Sequence, residues 1–340
     1  MAIFWNIFLK TTAIFFSIVS LLILLTLILG FFESRNNEEF SFISGDKDSS
    51  NTIAIIELSG LIIEKNTGIS EFTNPYIISP LQIKKTLDNL KNISPNIIIF
   101  SINSPGGTVS ASRNLYEIIK NFKSNNETEI YFHTNELLTS GAYWISTAAD
   151  SIYANYGSII GSIGVKGPDW FFYDKPTSIS YGILGSQIET KEDIKVYSSK
   201  AGKSKDIFNP FRKPSDNELI HLQNMVDEIY NDFVQIVSKE RKIEIESIIN
   251  DIGALIYTSK KANELHLIDD ELNLEDLIKK IIKDKKFINY KILKKYNKKN
   301  SLIKEILSSS YNKSNLDMNY DCLSLRSSIS SVLNYESLGC

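Results

Sequence analysis

The chain has 340 residues, of which 43% are hydrophobic and 23% charged, and its formal net charge is −3. This length is enough for one large domain or two ordinary ones, and the near-neutral balance offers no basic excess for a nucleic-acid partner. The two cysteines, Cys322 and Cys340, cannot form a disulfide framework, and no Cys/His spacing typical of zinc occurs. We therefore predict neither a metal nor a cofactor.

Residues 11–32 form an uncharged apolar segment. A helix of these 22 residues is roughly 33 Å long, enough to cross a hydrocarbon core of about 30 Å. A cleaved signal peptide is the alternative, but its apolar region is usually shorter, and no small-x-small cleavage site follows here. Lys10 precedes the segment and acidic residues follow it. The positive-inside rule therefore predicts a short cytoplasmic N-terminus (1–10), a single pass through the inner (cell) membrane and an extracytoplasmic body.

Residues 33–51 are polar and lack periodicity, which predicts a linker. The chain beyond them alternates short apolar runs with helical patterns. Strands are predicted at 53–58, 96–102, 129–133 and 152–154, and helices at 80–90, 110–122 and 140–150. The continuous apolar run at 96–102 is typical of a central parallel strand that is covered on both faces. The alternation indicates an α/β fold with a mostly parallel sheet.

A long helix is predicted after Pro214. Ser215 and Glu218 have the spacing of a capping box, and an apolar stripe follows through residues 219–237. We interpret the stripe as core or as a subunit interface. Residues 276–340 are predicted to be a lysine-rich, polar tail. Within it, residues 287–293 alternate like a strand, and residues 308–340 are expected to be mobile or ordered by a partner.

Two motifs carry candidate chemistry. Ser104-Pro105-Gly106-Gly107 follows the apolar strand, where its amides could hold a substrate carbonyl oxygen, although Pro-Gly-Gly also forms ordinary turns. Ser140 opens a helix after a strand. It is either the helix N-cap or a nucleophile on a strand-to-helix turn, with the amide of Gly141 beside it.

A nucleophilic serine needs a base. His133, His221 and His266 suggest no Ser/His/Asp grouping, and each is interpreted as structural. A lysine can serve instead when it is neutral, and burial lowers the pKa of lysines in general. Lys205, within the glycine-led segment 201–207, is the candidate.

The ordered motifs NSPGG, TSGAYWISTAAD, GSIGV and AGKSKDIFNP together resemble the signal peptide peptidase A family over about residues 52–275. That family consists of membrane-anchored Ser-Lys peptidases of the ClpP/crotonase-like fold, built from ββα repeats. The resemblance therefore implies this fold, behind one transmembrane helix. The stretch 166–200 is longer than the corresponding segment of the family. The resemblance therefore does not imply which residues line the substrate pockets.

The resemblance also implies roles for individual residues. Ser140 corresponds to the nucleophile, and Lys205, rather than Lys203, to the general base. Ser162 corresponds to the serine that hydrogen-bonds the lysine amine. The oxyanion amide corresponds to Gly107, with Gly141 second.

Family members of this single-repeat length assemble as homo-oligomeric rings, in which serine and lysine meet across a protomer boundary. We therefore expect a serine endopeptidase, anchored in lipid through residues 11–32, that cleaves remnant signal peptides or similar apolar peptides through an acyl-enzyme. The alternative is a non-catalytic crotonase-like scaffold or a membrane-protein quality-control assembly factor.

Overall fold

The computed structural model describes residues 2–35, 40–64, 77–172 and 199–295. The helices are α1 (Ala2–Arg35), α2 (Pro80–Leu90), α3 (Val109–Ser124), α4 (Gly141–Ser146), α5 (Asp216–Arg241), α6 (Ile245–Ser247), α7 (Ser259–Glu264) and α8 (Leu274–Asp284), with a π-helical turn at Ile248–Ile252. The strands are β1 (Phe40–Gly45), β2 (Thr52–Ser59), β3 (Leu61–Ile62), β4 (Ile77–Ile78), β5 (Ile97–Asn103), β6 (Glu129–Thr134), β7 (Leu137–Thr139), β8 (Ser151–Ala154), β9 (Ile159–Gly161), β10 (Ile256–Thr258), β11 (Asp270–Glu271) and β12 (Lys291–Lys295).

The main sheet has seven strands in the order β1-β12-β2-β5-β6-β8-β11. Its neighbours are parallel except for the outer strand β1, which runs antiparallel to β12. The predicted α/β class with a mostly parallel sheet is confirmed.

Both faces of this sheet are covered. Along β5, Ile98, Phe100 and Ile102 enter the larger core with α2, α3, α4 and α5. The alternate residues Ile97 and Ile99 enter a second core, where Leu277 and Ile281 of α8 pack. The double covering explains why the β5 sequence is apolar at successive positions rather than at every second one.

A smaller sheet holds the segments around the candidate serines. β7 runs parallel to β9, and β10 pairs antiparallel with the other edge of β9. Because β7 and β9 are parallel neighbours, their carboxyl ends meet at one edge. Ser140 directly follows β7, and Ser162 directly follows β9.

Helix α5 has two different halves. Its capping box is present as predicted, with Ser215 and Glu218 each hydrogen-bonding the other's backbone amide. Phe233 and Val237 in the C-terminal half are buried in the larger core. In the N-terminal half, Leu219 is 46% exposed and Ile220 is 57% exposed. The apolar stripe is therefore core along the C-terminal half, whereas the N-terminal half is partly buried, with Leu222 and Val226 half-buried and Leu219 exposed.

The domain extends beyond the boundaries expected from the sequence. β1 lies within the stretch expected to be a linker, and α8 and β12 lie beyond residue 275. β12 is inserted between β1 and β2, and its lysines pair outward, as in the Lys294–Glu57 bridge of 2.7 Å. The strand-like pattern at 287–293 overlaps β12, in which the neighbouring residues Ile292 and Leu293 point to opposite faces of the sheet and pack against different cores. Residues 308–340 lie outside the described residues.

Helix α1 contains a 23-residue apolar stretch, Ile3–Leu25, with a mean hydropathy of 2.3, and none of it is buried among the described residues. By length and composition it is able to cross a membrane, which suggests membrane association. The stretch begins earlier than the predicted segment 11–32.

The position of Leu277 in the second core gives a test of the extended domain. Leu277 is fully buried, so Leu277→Ala should lower the free energy of unfolding by about 3 kcal/mol in urea titrations. The exposed Lys283, on the same helix, provides the control, and Lys283→Ala should change it by less than about 0.5 kcal/mol. Equal, small effects would mean that α8 is not part of the folded domain.

Candidate active site

Ser140 lies at the junction of β7 and α4 in a backbone conformation that few residues other than glycine adopt, with φ of +53° and ψ of −126°. Its side chain makes no capping hydrogen bond to the helix. The backbone is held at both ends, because its N–H donates to Gly161 O at 2.9 Å and its carbonyl accepts from Trp144 N at 2.9 Å. The hydroxyl is therefore presented by a tightly held turn and is not used as an N-cap.

The Pro-Gly-Gly turn packs directly against this junction. Gly106 has a φ of +104°, and an added Cβ would lie 2.9 Å from the Ser140 Cβ and 2.7 Å from the Gly141 nitrogen. An added Cβ on Gly107 would lie 1.8 Å from the carbonyl oxygen of Ile62. Both glycines are needed because backbone fills the space where side chains would be.

The amides of Gly107 and Gly141 lie close to each other. A Cβ on Gly141 would be 3.3 Å from the Gly107 nitrogen. Within the described part of the chain, neither N–H donates a hydrogen bond. Two free amide donors beside a serine hydroxyl are the elements of an oxyanion hole.

Ser162 belongs to the same edge. It also has a left-handed backbone, with a φ of +53°, and its N–H donates to Leu255 O at 2.7 Å. The preceding residue, Gly161, supplies the carbonyl that binds the Ser140 amide. The fold thus brings together Ser140, Ser162 and the two glycine amides.

Among the described residues of this one chain, no hydrogen bond joins Lys205 to Ser140. It lies in a turn-rich segment before α5 and is exposed, as is Lys203. Among the described residues, the Lys205 amine has no hydrogen bond or ion pair.

An ion-pair network next to Lys205 was missed from the sequence. Arg212 binds Asp206 through Nε at 3.0 Å and Nη2 at 3.1 Å, and binds Glu218 through Nη1 at 2.8 Å and Nη2 at 2.7 Å. Arg212 and then Lys200 lower the pKa of Asp206 to about 2. Arg212 and the Ser215 amide lower the pKa of Glu218 well below its usual range. In the sequence, Asp206, Arg212 and Glu218 follow one another at intervals of six residues. Acidic and basic residues at such a spacing are too common to predict an ion pair.

Of the three histidines, one is buried in the fold and two lie on its surface. His133 is buried, its Nε2 lies 3.0 Å from Leu272 O, and burial lowers its pKa. His221 and His266 are exposed and far from the serine turn along the chain. Among the described residues, no group of three His, Cys, Asp or Glu side chains could hold a metal ion.

The contact between Gly106 and Ser140 can be tested by comparison with Gly157. Both glycines have positive φ, +104° and +82°, but a Cβ on Gly157 would meet nothing within 4 Å. Gly106→Ala should therefore reduce the free energy of unfolding by about 1–3 kcal/mol more than Gly157→Ala, measured by urea denaturation. Equal losses would show that strain in φ alone, and no collision at Ser140, governs both positions.

Comparison with known proteins shows what part of the chain is similar to. Residues 123–287 match the model of peptidase family S49, a range that contains Ser140, Ser162 and Lys205 and begins after the Gly106–Gly107 turn. A protein of Methanocaldococcus jannaschii named as a protease is 36% identical over 196 residues, covering 57% of this chain and 58% of that protein. A protein of Enterococcus faecium named as a signal peptide peptidase is 28% identical over 196 residues, covering 58% of this chain and 53% of that protein.

The matches thus span little more than half the length of these relatives. Among solved structures, the 1510-N membrane-bound stomatin-specific protease aligns with a TM-score of 0.41 and 14% identity, covering 68% of this chain and 85% of that one. The resemblance expected from the motifs is confirmed by the match of residues 123–287 to the model of peptidase family S49 and by the named relatives.

Proposed function

We propose that this protein is a membrane-anchored serine endopeptidase with a Ser-Lys dyad, and that it hydrolyses remnant signal peptides or similar apolar peptides. The observation that carries the proposal is the strained Ser140 turn, where an uncapped hydroxyl lies beside the free amides of Gly107 and Gly141. Such an arrangement suits acyl transfer, because negative charge develops on the carbonyl oxygen in the transition state.

In the proposed reaction, Ser140 Oγ attacks the peptide carbonyl while the neutral amine of Lys205 accepts the hydroxyl proton. The Gly107 and Gly141 amides stabilise the oxyanion, and Ser162 orients the lysine amine by a hydrogen bond. Lysine returns the proton to the leaving amine, which leaves an acyl-enzyme on Ser140. Water then attacks the ester with the same lysine as base, releasing the acid and restoring the serine.

We further propose that the dyad forms between two protomers of a homo-oligomeric ring. The Lys205 segment is bound to the N-terminus of α5 through Arg212 and Glu218. Fifteen residues later on α5, Phe233 stacks on Trp144, of the helix that follows Ser140, with ring centroids 4.5 Å apart. The two attachment points are about 22 Å apart along the helix axis. This separation supports delivery of the lysine to a neighbour's serine.

The N-terminal half of α5 supplies surface for such a contact. Leu219, Ile220 and Met225 are exposed on it beside the lysine segment. A head-to-tail contact that repeats with a fixed rotation closes into a ring.

For the location, we propose a single pass through the inner (cell) membrane, with the catalytic domain on the extracytoplasmic side. The apolar helix α1 supports membrane attachment, and the positive-inside tendency at Lys10 supports the orientation.

Peptide cleavage by purified Ser140→Ala protein is the direct test. The variant should lose at least about a thousandfold in kcat, with its oligomer and its stability unchanged, because it lacks only the attacking oxygen. Ser94→Ala is a matched control, since Ser94 also has positive φ, +48°, but is exposed away from the site. Wild-type turnover by Ser140→Ala would reject the proposal.

The choice of lysine gives a second test. Lys205→Arg should be inactive, because a guanidinium group does not deprotonate in proteins and cannot act as base. Lys203→Arg, two residues away and equally exposed, should keep most of its activity. The reverse pattern would show that the wrong lysine has been chosen.

The shared site is tested by mixing. Ser140→Ala and Lys205→Ala proteins should each be inactive, but an equal mixture that co-assembles at random should recover about one quarter of wild-type activity, because one boundary in four then pairs an intact serine with an intact lysine. A co-assembled mixture without any recovery would mean that each protomer builds its own site.

A further inference from the structure

Lys205 directly precedes a residue that is attached to the start of α5. The carboxylate of this residue, Asp206, binds Arg212. Arg212 also donates two hydrogen bonds to Glu218, so a single guanidinium joins the segment that carries Lys205 to the helix.

The planar guanidinium of Arg212 matches the geometry of the two carboxylates that it joins. Its planar group donates from Nε and Nη2 to the two oxygens of Asp206, and from Nη1 and Nη2 to the two oxygens of Glu218. Its Nη2 also lies 3.3 Å from the Asp206 backbone carbonyl. The guanidinium packs over the ring of Trp170 at 5.1 Å. A lysine at this position has one point charge and cannot serve two carboxylates in a fixed fork.

The segment that Arg212 holds has a strained backbone. Ser204 and Phe208 have φ values of +59° and +68°, conformations that persist only where surrounding contacts enforce them. Phe208 is held by Trp170, with ring centroids 5.4 Å apart, and the Trp170 indole N–H donates to Asn209 O at 3.2 Å. The exposed Lys205 is thus carried on a rigid support, although its own side chain is free.

We propose that Arg212 is a positioning residue for the reaction: by clamping Asp206 and Glu218 together, it holds Lys205 at the start of α5 in the orientation that reaches a serine. This inference rests on the proposed function. Arg212 touches no reacting atom. It reduces the conformations that the lysine segment can adopt, and so raises the fraction of time in which the amine is in place.

The experiment compares four full-length variants with the wild type. Arg212→Gln removes both carboxylate pairings, Arg212→Lys keeps the charge without the fork, and Lys205→Ala removes the proposed base. Arg113→Gln is the matched control, because it breaks an arginine–carboxylate pair of 2.8 Å with Glu117 elsewhere on the surface. Peptide kcat and KM, oligomer size and hydrogen exchange across residues 199–215 are measured for each.

Arg212→Gln should lower kcat by about 100-fold with KM within about twofold of the wild type, since misplacement of a catalytic group affects the chemical step rather than peptide binding. Arg212→Lys should recover part of that loss, and Arg113→Gln should match the wild type. Exchange should accelerate in residues 199–215 of Arg212→Gln and, to a smaller extent, of Arg212→Lys, but not of the other two variants, at unchanged oligomer size. If Arg212→Gln does not fold, the kcat loss and faster local exchange of Arg212→Lys decide the question.

The outcomes separate this inference from the function on which it rests. An inactive Lys205→Ala beside a fully active Arg212→Gln would overturn the role of Arg212 alone. So would a loss confined to KM, or unchanged exchange in the lysine segment. A fully active Lys205→Ala would overturn the proposed function and this inference with it.

Discussion

The close approach of the Gly106–Gly107 turn to the Ser140 junction is the constraint on which the site depends. Backbone lies where a Cβ on either glycine would be, so the two loops can meet only if both positions lack side chains. Their meeting brings two free amides to one hydroxyl. The parallel pairing of β7 with β9 then adds Ser162, because carboxyl ends of neighbouring parallel strands share an edge. Close packing of backbone, together with backbone hydrogen bonds such as Ser140 N–H to Gly161 O, assembles this edge.

Helix α5 connects this edge to the lysine segment and also separates them. Its buried C-terminal half stacks Phe233 on Trp144, close to the serine turn. Its N-terminal half leaves the core and carries the Arg212 network beside exposed apolar side chains. A helix of 26 residues is about 39 Å long and stiff, so its two ends serve different places. The exposed position of Lys205 at one end of α5 and the position of Ser140 near the other end both follow from this geometry.

Much of the fold could be predicted from local pattern. The central strand, the helix at 80–90 and the capping box of α5 agree closely with their expected positions, because apolar periodicity and cap residues act over a few neighbouring positions. The lysine-rich end was less visible. β12 lies between two strands that precede it by more than 200 residues in the chain, and two apolar residues among three lysines, KILKK, are a weak signal of a strand.

The sequence by itself determined the chemical groups: a serine at a strand-to-helix turn, glycines that free backbone amides, a lysine in a glycine-led segment and an apolar N-terminal helix. These follow from residue type and short spacing. Only the tertiary structure decided which of them meet. It joined Ser140 with Gly106, Gly107 and Ser162, left Lys205 exposed, and made Arg212 the link between Asp206 and Glu218. Such choices depend on strand pairing and helix packing between distant segments, which no local pattern encodes.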